Sequence, residues 1–341
     1  MRAVVLRGGR LEVRETADPV PRAGELLLRT VSTAICASDI HYMDHPDAGD
    51  ASGMFVWDAD RDVVMGHEFV GEVIAQGPDC SDRFPVGTRV TSIPTLVRDD
   101  GMQVIGQHPD APGSFGELFV VSEALARAVP DDADADAVAL VDAFAVGEGY
   151  VAMSGIAAGQ LPVVVGAGAI GLSAVAALTA RAVDPIIVSD FNEDRRALAQ
   201  RFGPTVGVDP AARSPYEVWH DLAAERGITF PPVIYECVGA DGLLQRIVEE
   251  CPPGSRIFAA GGWYTGDTLN VTTATKKGVS IQFGGAPGAE AWYGTLDAVL
   301  SGRLDPRPSI GMVVGLDGVP DAIELARKAQ GPPRIIVHPY E

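Results

Sequence analysis

The sequence predicts an α/β protein built from a mostly-β domain followed by a doubly wound parallel-sheet domain, with a tail that returns to the first. Three observations carry this. Up to about residue 145, short apolar runs are cut by Gly, Pro and Asp, with little helical periodicity. From about 146 to 284, β-branched runs alternate with helical stretches, which requires crossover connections and hence a parallel sheet. Within that alternation, Gly166-Ala167-Gly168-Ala169-Ile170-Gly171 stands between a strand and a helix.

In chain order, the first domain is expected to hold strands at 3–6, 26–30, 69–75, 89–91 and 116–121. Residues 43–62, with His45 and Pro46, read as an irregular acidic loop and a candidate pocket wall; its Met54, Phe55 and Trp57 either cover a ligand or anchor the loop. The acidic, alanine-rich stretch 131–136 reads as a solvated helix start. The second domain should run strand 163–165, helix 172–178, strand 186–188, helix 193–202, strand 233–235 and helix 242–250. The tail should add helices at 292–300 and 321–328 and a strand at 334–337. The expected boundaries are therefore 1–145, 146–285 and 286–341.

Composition narrows the function. The 341 residues are 47% hydrophobic and 21% charged, enough for two folded domains and too apolar for disorder. A formal net charge of −20 repels polyanions, which argues against nucleic acid or an anionic membrane surface as partner. No charged residue lies between Glu148 and Arg181, but Pro162 and glycines such as Gly155 and Gly159 break that stretch into pieces too short to span a bilayer. The four cysteines, Cys36, Cys80, Cys237 and Cys251, form no C-x-x-C pair, and the strand-like start at Met1 has no long apolar run; both point to a reducing, cytoplasmic setting.

The glycine motif has the spacing of a dinucleotide turn. Gly166 permits the tight turn, Gly168 lets the backbone approach a pyrophosphate, and Gly171 allows helix to pack on strand, with Ala169 and Ile170 opening the helix. Asp190 ends the next strand, where a carboxylate accepts hydrogen bonds from the adenosine ribose and repels a 2′-phosphate, favouring NAD over NADP. Arg195, five residues on, stands close enough to bear on that preference. The bland alternative is an ordinary β-turn-α junction.

A second group is Cys36-Ala37-Ser38-Asp39-Ile40-His41, followed by Gly66-His67-Glu68-Phe69-Val70-Gly71. Thiolate, imidazole and carboxylate suit a borderline-soft metal such as zinc. Together these segments resemble the medium-chain dehydrogenase/reductase superfamily, in its zinc-containing alcohol and polyol dehydrogenase branch. Gly66-His67-Glu68, Gly71, Gly77 and Cys80 match its zinc signature G-H-E-x2-G-x5-[GA]-x2-[IVSAC]. Pro85-Val86-Gly87-Thr88-Arg89-Val90 matches the turn and strand that follow. Glu236-Cys237-Val238-Gly239 and Ala259-Ala260-Gly261-Gly262 resemble later cofactor-lining turns, Val238 and Gly261 among them.

The resemblance implies a GroES-like catalytic domain, a Rossmann NAD-binding domain and reversible hydride transfer between an alcohol, sugar or polyol and NAD. It makes Cys36 and His67 zinc ligands. Asp142, in Asp142-Ala143-Phe144-Ala145-Val146-Gly147, resembles the carboxylate that replaces the second cysteine in polyol and threonine dehydrogenases; the competing reading is a helix N-cap. Glu68 becomes a fourth or exchangeable ligand. Ser38 would take the hydroxyl proton and pass it through the cofactor ribose to His41, which exchanges with solvent, while Asp39 accepts the free N–H of His67. Residues 95–113 lack the cysteines of the structural-zinc lobe found in many members, so one zinc per chain is expected. By resemblance the chain forms a homodimer or homotetramer. A zinc-free quinone or enoyl reductase and a non-catalytic NAD(H)-binding protein are the alternatives. His45, His108, His220 and His338 are left structural.

Overall fold

A computed structural model describes residues 1–46, 53–262, 267–328 and 331–341. It divides into two compact units, Met1–Asp142 with Leu296–Glu341, and Ala143–Thr295. The breaks fall inside two helices, so the chain leaves the second unit about ten residues later than the expected boundary at 286.

The first unit opens with β1 (Arg2–Arg7) and β2 (Arg10–Glu15), paired antiparallel with Arg7 opposite Arg10. Gly8 and Gly9 both sit at positive φ, as a two-residue hairpin with matching twist requires. Then come β3 (Glu25–Ile35), α1 (Ala37–Asp44), β4 (Val63–Val64), β5 (Glu68–Gln76), β6 (Arg89–Ser92), β7 (Thr95–Arg98), β8 (Gly101–Val104), β9 (Leu118–Ser122), β10 (Ala126–Ala128) and α2 (Ala135–Ala139). Among the described residues the main sheet runs β10-β6-β5-β3, with β9 also on β3, and is completed by the returning tail. Its alternating inward residues, Leu26, Leu28, Phe69, Val73, Phe119 and Val121, form one core. Burying each large aliphatic or aromatic side chain contributes about 1.5–3 kcal/mol.

α3 (Val141–Ser154) leads into the second unit, which runs β11 (Pro162–Val165), α4 (Ala169–Ala180), β12 (Ile186–Ser189), α5 (Glu193–Ala199), β13 (Thr205–Val208), α6 (Pro215–Arg226), β14 (Val233–Glu236), α7 (Leu243–Glu250), β15 (Arg256–Ala259), α8 (Val271–Lys277) and β16 (Ser280–Phe283). The described strands form one parallel sheet in the order β13-β12-β11-β14-β15-β16. The chain winds outward from β11 in one direction and from β14 in the other, so the order reverses between these two. Ligands of open α/β sheets bind at the carboxyl ends of strands at such a point. α4 is buried along Gly171–Leu178, which accounts for the uncharged stretch that resembled a membrane span. No helix among the described residues is long and apolar enough to cross a membrane.

α9 (Ala289–Leu300), β17 (Ile310–Val314), α10 (Val319–Arg327) and β18 (Arg334–Val337) close the chain. β18 pairs antiparallel with β3, with Ile335 opposite Ile35. Ile335, Val337, Val319 and Ile323 pack with Val4, Ile35, Met65 and Phe115 in a second core of the first unit.

The expected 43–62 loop is divided. α1 continues to Asp44, residues 47–52 lie outside the described residues, and 53–62 is anchored: Tyr42 donates to the Val56 carbonyl at 2.6 Å, and Trp57 packs on the second core. The acidic stretch behaves as read, Asp134 capping α2 by accepting from the N–H groups of Asp136 and Ala137.

Candidate metal and dinucleotide sites

Strand register assembles the first site. Ala34 lies opposite Glu68 in the β3–β5 pair, so the residue just past the end of β3, Cys36, falls beside the segment that precedes β5, which contains His67. On the other flank of β3, the pairing of Ile335 with Ile35 brings Arg334 to the same end. Cys36 then caps α1, and the Asp39 carboxylate three residues on accepts the Cys36 N–H at 3.0 Å through Oδ2. Asp39 Oδ1 lies 3.0 Å from His67 Nδ1. One fully buried carboxylate thus fixes both residues, and it leaves the Nε2 face of His67 turned toward the ligand group.

Cys36 Sγ, a His67 ring nitrogen and a Glu68 carboxylate oxygen all lie within 4.8 Å of one another, the group of this kind found among the described residues. Glu68 forms an ion pair with Arg334, the two side chains 0% and 2% exposed. Arg334 faces Glu68 Oε2, and the other carboxylate oxygen, Oε1, has no hydrogen-bond donor. A buried carboxylate oxygen without a donor beside a thiol and an imidazole fits a zinc ion, which would supply the missing partner.

Electrostatics prepare the same donors. Burial raises the Cys36 thiol, but the hydrogen bond and charge of His67 and the charge of Arg334 outweigh it and draw the thiol below its ordinary value. For His67, burial works downward, and the charge and hydrogen bond of Asp39, with Cys36, raise it well above the ordinary imidazole value. Ser38 Oγ lies 3.0 Å from His67 Nε2. His41, on the same helix, stacks on His45 with ring centroids 6.1 Å apart. Burial and the neighbouring His45 lower its pKa, against the pull of Asp44, so it is neutral at pH 7 and can accept a proton.

Asp142 stands half-buried in the first turn of α3 and is not part of the group; the structure brings Glu68 rather than Asp142 together with Cys36 and His67. Arg334 was not foreseen, because a basic residue in a terminal strand carries no local motif and only sheet register reveals it. His338, read as structural, lies 2.8 Å from Asp136 Oδ1 and 3.1 Å from Glu341 Oε1.

The lobe without cysteines is fastened by charge. Arg98 at the end of β7 donates to Glu25 Oε1 at 2.7 Å, to Gln103 Oε1 at 2.6 Å and to the Asp110 carbonyl at 2.6 Å, with its side chain 7% exposed. The lobe's last residues pair directly with the ligand segment, through Gly113 N–H to the Val64 carbonyl and Ser114 N–H to the Gly66 carbonyl.

The second site lies at the carboxyl ends of β11, β12, β14 and β15. Gly166 has φ +93, and a methyl built on it would lie 2.5 Å from Val238 Cγ2. A methyl on Gly171 would lie 1.8 Å from the Gly166 carbonyl oxygen, so helix and turn approach too closely for any side chain. Gly168, the N-cap of α4, differs: a methyl there would meet nothing within 4 Å. Protein packing does not demand glycine at 168, whereas a pyrophosphate on the α4 N-terminus does. Ala169 and Ile170 form the first turn of that helix. Asp190 accepts from the Ala167 N–H and the Asn192 N–H, both at 2.8 Å, which ties the end of β12 to the glycine turn. Arg195 lies in the first turn of α5, its N–H capped by Asn192, and Arg196 reaches the Asp190 carbonyl at 2.7 Å. Val238 is half exposed and Gly261 borders the next turn.

Comparison with known proteins joins these sites. Residues 22–131 match a family described as alcohol dehydrogenase GroES-like domain, and 169–301 match one described as zinc-binding dehydrogenase. The chain is 26% identical to a (R,R)-butanediol dehydrogenase of Neisseria gonorrhoeae, covering 97% of each chain, and 25% identical to rat sorbitol dehydrogenase, covering 94% of this chain and 91% of that protein. The crystal structure of 2R,3R-butanediol dehydrogenase from Bacillus subtilis has the same fold, with a TM-score of 0.84 over 99% of both chains at 22% identity. With both domains matched in order along the chain, the protein belongs to the zinc-containing alcohol and polyol dehydrogenase branch of the medium-chain dehydrogenase/reductase superfamily.

Proposed function

We propose that the protein oxidises a secondary alcohol or polyol with NAD, using one zinc ion per chain held by Cys36, His67 and Glu68. The observation that carries this is the gathering of half-buried Cys36 with buried His67 and Glu68, whose Oε1 has no hydrogen-bond donor. Asp142 is the further carboxylate that the resemblance assigns to the metal, and exchanging Asp142 and Glu68 for alanine in turn ranks the two.

Zinc supplies Lewis acidity that lowers the pKa of the alcohol hydroxyl, and NAD supplies the hydride acceptor. Asp39 orients His67 and the start of α1. Ser38, two residues beyond Cys36, takes the hydroxyl proton, and neutral His41, one turn on, passes it toward solvent. Asp190 receives the adenosine ribose hydroxyls, and its charge disfavours a 2′-phosphate, which supports NAD over NADP. The Arg98 fastening of residues 95–113, where the chain has no cysteine, supports a single zinc per chain.

A homodimer or homotetramer is supported by β16, which lies at the edge of the sheet among the described residues and whose Phe283 is 58% exposed. Four free thiols support a reducing, cytoplasmic setting. The test is NAD-linked turnover across an alcohol, sugar and polyol panel. The wild type should reduce NAD with at least one of these, and Cys36→Ser should lose turnover while retaining NAD binding. Full activity in metal-stripped Cys36→Ser protein would sink the zinc reading.

A further inference from the structure

Glu236 is a fully buried acid that the proposed chemistry does not use. It ends β14, beside the point where strand order reverses, with Val165 of β11 on one side and Ala259 of β15 on the other. Its carboxyl folds back on its own turn: Oε1 accepts the Val238 N–H at 2.8 Å and the Gly239 N–H at 2.9 Å. Its main-chain carbonyl accepts the Ala260 and Gly261 N–H groups, each at 2.8 Å. One residue therefore gathers four N–H groups from the turns after β14 and β15.

Those turns touch without side chains. A methyl on Gly239, at φ +72, would lie 2.4 Å from the Gly262 carbonyl oxygen; one on Gly261 would lie 2.2 Å from the Gly239 nitrogen and 2.6 Å from Glu236 Oε2. Val238, held by the same carboxyl, in turn fills the space beside Gly166. Oε2 makes no well-formed hydrogen bond, and burial raises the pKa of the acid against the Gly239, Val238 and Gly261 N–H groups that lower it. A structure that keeps a poorly satisfied acid buried gains something from the group that holds it.

The sheet order says what that is. Asp190 follows β12 and Gly168 follows β11, so the adenosine and pyrophosphate halves of a dinucleotide occupy that side of the reversal. The remaining half must extend over the ends of β14 and β15. We propose that Glu236 is a positioning residue for the nicotinamide half of the cofactor, acting by locking the Val238–Gly239 turn against Gly261. The assignment rests on the dinucleotide cleft proposed above.

The test compares NADH, followed by its fluorescence, with ADP-ribose, which lacks the nicotinamide and binds only across Gly168 and Asp190. Glu236→Ala should raise the Kd for NADH about tenfold or more, because two N–H groups lose their acceptor, and leave the ADP-ribose Kd within about twofold. Glu236→Gln, which keeps an acceptor oxygen for both N–H groups, should restore NADH binding. If Glu236→Ala does not fold, Glu236→Asp carries the comparison, since it keeps the charge but draws the oxygens back by one methylene; it too should weaken NADH selectively. Equal weakening of both ligands, or no weakening of NADH, overturns the inference while leaving the cleft intact. Wild-type protein that binds neither ligand overturns the dinucleotide reading itself.

Discussion

Replacing Asp39 with asparagine tests whether one carboxylate sets the metal site. Asp39 Oδ2 accepts the Cys36 N–H and Oδ1 faces His67 Nδ1, both at 3.0 Å, and the side chain is 0% exposed. Asparagine has the same shape but a single acceptor oxygen. If that oxygen keeps the Cys36 N–H, the NH2 group faces His67 Nδ1, moves the ring proton to Nε2 and turns a hydrogen toward the metal position. If the amide flips, the NH2 group opposes the Cys36 N–H at the start of α1. Either orientation damages one ligand, and losing such a partner lowers metal affinity roughly 10- to 100-fold, about 1.4–2.7 kcal/mol. Zinc affinity should be measured by competition with a chelator at pH 8, with thermal unfolding of the metal-free proteins as the control for folding. Affinity for Asp39→Asn within about twofold of wild type would refute the role given to Asp39.

Four further outcomes follow from the geometry. Gly168→Ala should leave thermal stability nearly unchanged, because φ −75 suits alanine and the methyl meets open space, yet weaken NADH about tenfold; Gly171→Ala should lose stability as well, since its methyl meets backbone. Arg334→Leu should destabilise the metal-free protein by about 3–5 kcal/mol by leaving Glu68 buried without its counter-charge, and Arg334→Leu with Glu68→Gln should recover most of it in urea unfolding. Asp190→Gly should shift kcat/KM from NAD toward NADP, and unchanged selectivity would remove Asp190 as the discriminator. His338 is opposed by burial, but its hydrogen bond and charge with Asp136 prevail and raise its pKa. A pKa raised by folding gives stability that is full below the unfolded value of about 6.5 and is lost as pH rises through the folded value. His338→Gln should therefore lower the Tm at pH 6 by a few degrees at most and leave it nearly unchanged at pH 9.

Much of the second unit was legible because its signals are local. Val163-Val164-Val165, the glycine turn and Ile186-Ile187-Val188 each announce an element by composition, and β11, α4 and β12 lie where these signals stand. Asp190 could be placed because the turn fixes where the next strand ends. The first unit was harder to read. α1 is short and carries Asp39, His41 and Asp44, and its capping signal is hidden because Cys36 stands where serine or threonine usually does. β2 is missed when Gly8-Gly9 is taken as the end of a strand rather than the centre of a hairpin. Arg334 and Arg98 have no sequence signal at all: their partners, Glu68 and Glu25, are brought to them by sheet pairing and hairpin folding across long stretches of chain. The Cys36–His67–Glu68 group was recognisable by residue type, whereas the closeness of Glu68 to Cys36 and His67 depends on the β3–β5 register.

Metal content tests most directly the proposal that half-buried Cys36 and buried His67 and Glu68 make one metal site per chain. Elemental analysis of freshly purified protein should find about one zinc per chain, and Cys36→Ser should fall well below that after the same purification. Wild-type protein that carries no zinc and retains none after reconstitution and desalting would contradict the account.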